Sequence, residues 1–302
     1  GSFGMGLEGI GMLRRSLLSV PGDKEAMITK AQSLAVDSLF FDLEDSVSPQ
    51  SKIAARALIS QSVKRSLFSA PFISVRVNAR DTPFIADDLA LLSGGLAREI
   101  DSIIFPKINS VDDCNWMDAE LASVEKAVGI AVGTIALDAQ IETAQGLQNV
   151  NHIAAHPRVI SLSFGPLDFL ADVGAPTLHI NESTQVIINH ALAQILIAAR
   201  ANGIEALDGP TVDYKNPETF ERSALAIYGM GFDGKWLIHP SQIELCHKVF
   251  TPTIEEFKSA IALLKDYEGQ GVIVRDQVMV DAASIRMAQV VMSRGVAAGF
   301  TL

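Results

Sequence analysis

The chain has 302 residues, 48% hydrophobic and 20% charged, and Asp and Glu outnumber Lys and Arg by 35 to 24. The length suits one large domain, or one domain with an appendage, and the net charge of −11 argues against a nucleic-acid or anionic-membrane partner. The two cysteines, Cys114 and Cys246, are too few and too far apart for a disulfide framework or a zinc site, so a reducing, cytoplasmic compartment is the expectation.

Residues Gly1–Gly11 lack the charged segment and apolar core of a signal peptide. From there a rhythm of short β-branched or aromatic runs bounded by turn residues predicts eight strands. They are Ser16–Val20, Ser38–Leu43, Phe72–Val77, Ser102–Phe105, Ile135–Ile141, Val159–Phe164, Ile204–Leu207 and Lys235–Ile238. Helix-like segments fall between them: Lys24–Ala35, Ser51–Ser66, Phe84–Leu92, Val111–Val124, Thr143–Ala155, Thr184–Ala201 and Pro217–Tyr228. Gly203 stands where a C′ glycine is expected. The longest apolar run, Val186–Ala201, carries Asn189, His190, Gln194 and Arg200, too many polar groups in too short a span to cross a bilayer. Strands alternating with helices make parallel βαβ units, and eight of them match an α/β (β/α)8 TIM barrel over residues 14–250. A doubly wound sheet fits less well, because no G-x-G-x-x-G follows the first strand.

Residues 251–302 lie outside that count and read as a C-terminal helical lid or an arm reaching a neighbouring subunit, with an extra packing helix as the rival reading. Thr253 and Glu256 fit a capping box that restarts a helix, and Gly269-Gln270-Gly271 breaks it. Val272–Val280 reads as extended around Arg275-Asp276-Gln277, and Ala282–Ala297 as a final helix.

A barrel keeps its chemistry at the C-terminal ends of its strands. Those ends read Asp23-Lys24, Asp42-Leu43-Glu44-Asp45, Arg76-Val77-Asn78, Pro106-Lys107, Glu142, Asp168, Asp208-Gly209 and His239-Pro240. Glu142 and Asp168 each follow an apolar run and precede helix-like sequence, so their carboxylates converge on one cavity and suit a hard cation such as Mg²⁺. Helix capping is the alternative for both. Asp42 and Glu44 are also candidates to cap helices or pair with Lys52 and Arg56. Lys107 could form a Schiff base, or more simply a buried salt bridge. Cys246 and His247 are consecutive and do not face each other on a helix, and His239 reads as a hydrogen-bonded strand-end residue.

Seven ordered motifs, RRSLLSVPGDKEAM, FFDLEDSVSPQSKIAAR, VRVNA, IIFPKI, QIETAQG, FGPLDFLADVG and GFDGKWLIHPSQI, span Arg14 to Phe250. Together they resemble the citrate lyase beta-subunit-like branch of the HpcH/HpaI aldolase family. The resemblance implies a TIM barrel, a divalent metal (Mg²⁺, or Mn²⁺ in its place), reversible carbon–carbon cleavage of hydroxyacyl thioesters, and a homotrimer or dimer of trimers. It further implies that Glu142 and Asp168 are metal ligands, that Arg76 holds the substrate carboxylate, and that Arg15 and Lys24 contact coenzyme A. The segment VMVDAASIRMA resembles the lid of the malyl-CoA and citramalyl-CoA lyase branch, which makes Asp281 the expected catalytic acid/base, supplied by a neighbouring subunit. Ser19, Pro166-Leu167 and Ala283 depart from the family pattern.

These residue types suit retro-aldol chemistry. Metal held by Glu142 and Asp168 polarises a carbonyl. Arg76 offers a bidentate grip on a carboxylate. An acid/base at the thioester α-carbon contributes on the order of 10²–10⁴-fold. The expected partners are a CoA thioester and a 2-oxo acid. The alternatives are a citrate-lyase-type subunit acting on a carrier-protein thioester, and a barrel that has lost catalysis.

Overall fold

The computed structural model describes residues 14–211, 213–267, 273–275 and 278–302. The expected breaks at Gly269–Gly271 and Asp276-Gln277, and the start at Gly1–Gly11, lie outside the described residues.

Eight parallel strands close into a barrel in sequence order. They are β1 (Ser16–Pro21), β2 (Ser38–Asp42), β3 (Phe72–Arg76), β4 (Ser102–Phe105), β5 (Ala136–Ile141), β6 (Val159–Phe164), β7 (Glu205–Asp208) and β8 (Gly234–Leu237). Closure comes from β8 lying beside β1, with Leu17 opposite Trp236. Alternation divides each strand between two environments. In β1 and β2, Leu18, Val20, Leu39 and Phe41 join the large core beneath the helices, whereas Leu17 and Phe40 join Ile104, Leu207 and Trp236 in a separate cluster inside the barrel. A buried charged network lies at the lower end of the barrel. Arg14, 2% exposed, donates to Asp138 and Glu205, and Asp138 also accepts from Ser102 and Ser161. Breaking such a buried pair by removing one partner costs about 3–5 kcal/mol.

Around the barrel run α1 (Glu25–Ala31), α2 (Lys52–Ser62), α3 (Ile85–Ser93), α4 (Val111–Val128), α5 (Ala144–Gln148), α6 (Val150–Ala154), α7 (Pro166–Asp172), α8 (Glu182–Ala201), α9 (Pro217–Met230) and α10 (Ile243–Phe250). Gly203 closes α8 with φ +68°, and the Ile204 amide donates back to the Ala199 carbonyl. The single helix expected over Thr143–Ala155 is two short ones. Asn149 leaves helical geometry (φ −101°, ψ 9°), and its side-chain amide donates to the Asn109 carbonyl on the preceding loop. None of the helices among the described residues is long and apolar enough to cross a membrane.

Beyond Phe250 the chain restarts as α11 (Ile254–Tyr267), where the Thr253 hydroxyl accepts from the Glu256 amide and the Glu256 carboxylate from the Thr253 amide. A two-stranded antiparallel hairpin, β9 (Ile273–Arg275) and β10 (Val278–Val280), leads into α12 (Ala282–Ala297). Helix α12 packs on α11 closely enough that a side chain on Gly295 would strike the Phe257 ring at 2.3 Å. Its last turn is anchored by Arg294, which reaches the Gly231 carbonyl and Asp233 just before β8.

Candidate active site

Glu142 follows β5, Asp168 lies in the first turn of α7 after β6, and Asp45 lies on the loop after β2. One carboxylate oxygen from each falls within 4.8 Å of the other two. Opposite ligands of a six-coordinate Mg²⁺ stand about 4.2 Å apart, so this donor set is close to what a hard divalent cation requires. The expected pair thus gains a third member. Glu142 is fully buried, and among the described residues its Oε1 has no hydrogen-bond partner. Its Oε2 accepts from the Lys107 amide at 3.2 Å, presented by a backbone turned to φ +53°. Burial, then the neighbouring Asp168 carboxyl, push the Glu142 carboxyl well above the usual carboxylate range. An anionic group held so unfavourably is one that a cation would relieve.

Gly165, at the end of β6, makes the approach possible. A methyl group there would meet Glu142 Cβ at 2.7 Å and the Gln140 side-chain nitrogen at 3.1 Å.

Lys107 is the cation beside the cluster. Its Nζ lies 2.6 Å from Glu44, 3.7 Å from Asp45 and 3.8 Å from Glu142. Burial alone would lower its pKa, but the Glu142, Glu44 and Asp45 carboxylates outweigh that and raise it. That favours the ammonium form of Lys107 over the free amine a Schiff base needs. Glu44 is pushed up to about 7 by burial, against the opposing charges of Arg76 and Lys107.

Arg76 ends β3 inside the mouth, and the structure gives it an unexpected partner. Its Nε and Nη2 each donate to Asp42 at 2.7 Å, while Nη1 lies 3.4 Å from Gln140 Oε1 and 3.5 Å from Glu44 Oε1. The guanidinium also lies over the Phe40 and Trp236 rings, 5.6 and 5.5 Å from their centroids. A substrate carboxylate would meet the Nη1 side, because Asp42 occupies the Nε–Nη2 edge. Burial works to raise the Asp42 carboxyl, yet Arg76, Ser46 and the Glu44 amide together bring it down to about 2. Asp42 does not pair with Lys52 or Arg56. Lys52 donates to the Leu43 and Glu44 carbonyls, and Arg56 pairs with Asp88.

The other expected residues lie apart from this cluster. Arg15 precedes β1, at the opposite end of the barrel, with its guanidinium held by Asp37 and Thr251. Lys24 is on the loop after β1, at the mouth, with its side chain 58% exposed. Asp281 caps α12, accepting from the Ser284 amide at 3.1 Å, and is exposed. His239 bonds Ser241 and stacks on Tyr214, while Cys246 and His247 point to Arg15 O and Ser16 at the lower end. A cleft of about 320 Å³ runs outward from Glu44, Asp45 and Lys107, past Lys52, Asn78 and Phe84.

Sequence reasoning missed Asp45 as a third carboxylate and Asp42 as the partner of Arg76. The signal was present in Asp42-Leu43-Glu44-Asp45, three acids within four residues at a strand end.

The closed barrel and the carboxylates at its mouth define an α/β barrel with a candidate hard-cation site. The chain belongs to the HpcH/HpaI aldolase/citrate lyase family, whose model matches residues 15–240. It is 35% identical over 298 residues to the L-malyl-CoA/beta-methylmalyl-CoA lyase of Rhodobacter capsulatus, covering 92% of this chain and 93% of that protein. Identity to the citrate lyase subunit beta of Haemophilus influenzae is also 35%, over 93% of this chain and 97% of that protein. Among solved structures, the CitE protein of Mycobacterium tuberculosis in complex with magnesium, acetoacetate and coenzyme A superposes with a TM-score of 0.78 at 26% identity, covering 95% of this chain and 99% of that one.

Proposed function

We propose that this protein catalyses Mg²⁺-dependent, reversible carbon–carbon cleavage of a 3-hydroxyacyl-CoA thioester of the malyl-CoA or citramalyl-CoA type. The observation that carries the reading is the buried Glu142 Oε1, which accepts no hydrogen bond among the described residues and stands with Asp45 and Asp168 in one carboxylate cluster. Three carboxyl groups, Glu44, Asp45 and Glu142, face one ammonium, Lys107, and Asp168 joins Asp45 and Glu142, which leaves negative charge for a divalent cation to neutralise. Glu142, Asp168 and Asp45 would hold Mg²⁺ or Mn²⁺, which when bound supplies Lewis-acid polarisation of the substrate oxygen.

The chain's own residues do the rest. Arg76 holds the substrate carboxylate through its Nη1 side. Lys107 stays protonated and keeps Glu44 in place. In the cleavage direction the hydroxyl loses its proton to solvent and becomes the carbonyl of one fragment, while the carbon–carbon bond breaks and its electron pair passes to the thioester fragment as an enolate. Asp281, brought by a neighbouring subunit of a homotrimer or dimer of trimers, delivers a proton to the enolate carbon. Residues 251–302 then act as a lid on the barrel of residues 14–250, excluding water from the enolate. Lys24, exposed at the mouth, offers a cation to coenzyme A, which a chain of charge −11 must otherwise repel. Arg15, held by Asp37 and Thr251 at the other end of the barrel, keeps a coenzyme A role only on the motif resemblance. The two free, buried thiols suit a reducing cytoplasm.

The likeness to citrate lyase subunit beta supports a second reading, with the thioester on a carrier protein. Free CoA thioesters separate the two. Purified protein with Mg²⁺ is expected to cleave members of a hydroxyacyl-CoA panel, and Glu142→Ala and Asp168→Ala to abolish cleavage. Activity should be lost in EDTA and resist borohydride. Trapping by borohydride with indifference to EDTA would establish a Lys107 Schiff base in its place.

A further inference from the structure

We infer that Asp42 is the positioning residue of this site: one buried carboxylate fixes the plane of Arg76 and also the loop that carries Glu44 and Asp45. The inference rests on the lyase reading for its substrate, but not for its geometry.

Asp42 is 0% exposed at the end of β2 and receives five donors. Oδ1 accepts from Arg76 Nε at 2.7 Å and the Glu44 amide at 2.9 Å. Oδ2 accepts from Arg76 Nη2 at 2.7 Å, the Ser46 amide at 3.0 Å and the Ser46 hydroxyl at 2.6 Å. A carboxylate has about four lone-pair sites, so this one is saturated and has no capacity left for substrate or metal. Its contacts bracket Asp45, the ligand candidate, on both sides in the chain. Lys52 adds two bonds to the same loop, through the Leu43 and Glu44 carbonyls.

The second consequence is electrostatic. Arg76 Nη1 lies 3.5 Å from Glu44, and the Glu142 charge acts on the guanidinium as well. Without a partner of its own, Arg76 would turn toward those carboxylates and compete with a cation for them. Asp42 neutralises Arg76 through the edge facing away from the cluster, and Phe40 and Trp236 bound its face. Arg76 can then present Nη1 to a substrate without displacing the metal.

The test uses the full chain. Asp42→Asn puts an amide donor against the guanidinium and frees Arg76. It is expected to weaken Mn²⁺ binding, read by calorimetry, at least tenfold. It should also raise the KM for the 2-oxo acid in the condensation direction more than it lowers kcat. In a Trp116→Phe background, Trp236 is the one remaining tryptophan, and its emission should shift as the guanidinium leaves its face. The decisive arm is the double variant Asp42→Asn/Arg76→Met. If Asp42 acts by restraining Arg76, removing Arg76 recovers most of the Mn²⁺ affinity that Asp42→Asn loses; a role confined to holding the fold gives no recovery. Unchanged Mn²⁺ affinity in Asp42→Asn, or no recovery in the double variant, overturns the proposal. Should Asp42→Asn not fold, Ser46→Ala cuts only the loop's tether and is expected to raise the Mn²⁺ Kd roughly two- to tenfold, the worth of one hydrogen bond, with Trp236 emission unchanged; an unchanged Kd there overturns it. If the wild type cleaves no thioester, the lyase reading fails while metal affinity and emission still decide the role of Asp42.

Discussion

Glu142→Gln separates what this side chain does for function from what it does to stability. In the metal-free protein Glu142 is a carboxyl group with 0% exposure, an Oε1 that accepts no hydrogen bond among the described residues, and Asp168 and Asp45 within 4.8 Å. Its nearest counter-charge is Lys107 Nζ at 3.8 Å, already bonded to Glu44 at 2.6 Å. Glutamine keeps the volume and the acceptor for the Lys107 amide, cannot ionise, and offers an amide donor to the neighbouring carboxylates. Relief of an unsatisfied buried polar group is worth about 1–3 kcal/mol. In a chain of this size that raises Tm by roughly 2–6 °C, at about 2 °C per kcal/mol. With metal the order reverses. Mg²⁺ at one hundred times its Kd adds about 2.7 kcal/mol to the wild type and little to the variant. Calorimetric melts in EDTA and in Mg²⁺ therefore cross: the variant melts higher in EDTA, and only the wild type gains from metal. A variant that melts below the wild type in EDTA, or that keeps the full Mg²⁺ gain, would refute the reasoning.

Three further outcomes follow from the same geometry. Gly165→Ala places a methyl 2.7 Å from Glu142 Cβ at an ordinary φ of −106°, so the cost is overpacking of about 1–3 kcal/mol, and Mn²⁺ titration should show affinity falling roughly tenfold, at 1.4 kcal/mol per tenfold. Asp281→Asn should leave Mn²⁺ affinity intact while abolishing turnover, and mixing it with Glu142→Ala chains should restore activity if the aspartate comes from a neighbouring subunit; separately inactive and jointly inactive chains would refute that. Burial holds the His247 imidazole below its usual range, with Asp37 opposing and Arg15 reinforcing. A depressed pKa contributes stability above the unfolded-state value of about 6.5, and that stability is lost as pH falls through the folded value. Melts at pH 7.5 and 5.5 should therefore show the wild type losing more Tm than His247→Gln.

Much of this was legible in the sequence for a physical reason. Barrel strands are buried on both faces, so each reads as a short apolar run between turns, and the eight runs fall within a few residues of β1–β8. Glu142 and Asp168 were legible because strand ends in a barrel converge whatever the loops do. Asp45 was not, since which of two adjacent acids turns to the cluster depends on a loop pinned by Asp42 and Lys52. The partner of Arg76 was hidden because it stands on a neighbouring strand, 34 residues away. The coenzyme A role of Arg15 rests on the motif resemblance alone. Its place before β1 puts it at the lower end of the barrel, which chain order would have indicated.

In the proposed reaction Glu142, Asp168 and Asp45 form a metal site at which a CoA thioester is cleaved. Mass spectrometry of the carbonyl fragment released from malyl-CoA and citramalyl-CoA, after EDTA treatment and Mg²⁺ restoration, tests it most directly. The account predicts glyoxylate or pyruvate from the wild type only when Mg²⁺ is returned, and none from Asp168→Ala. Equal release of that fragment in EDTA, or from Asp168→Ala without added metal, would contradict it.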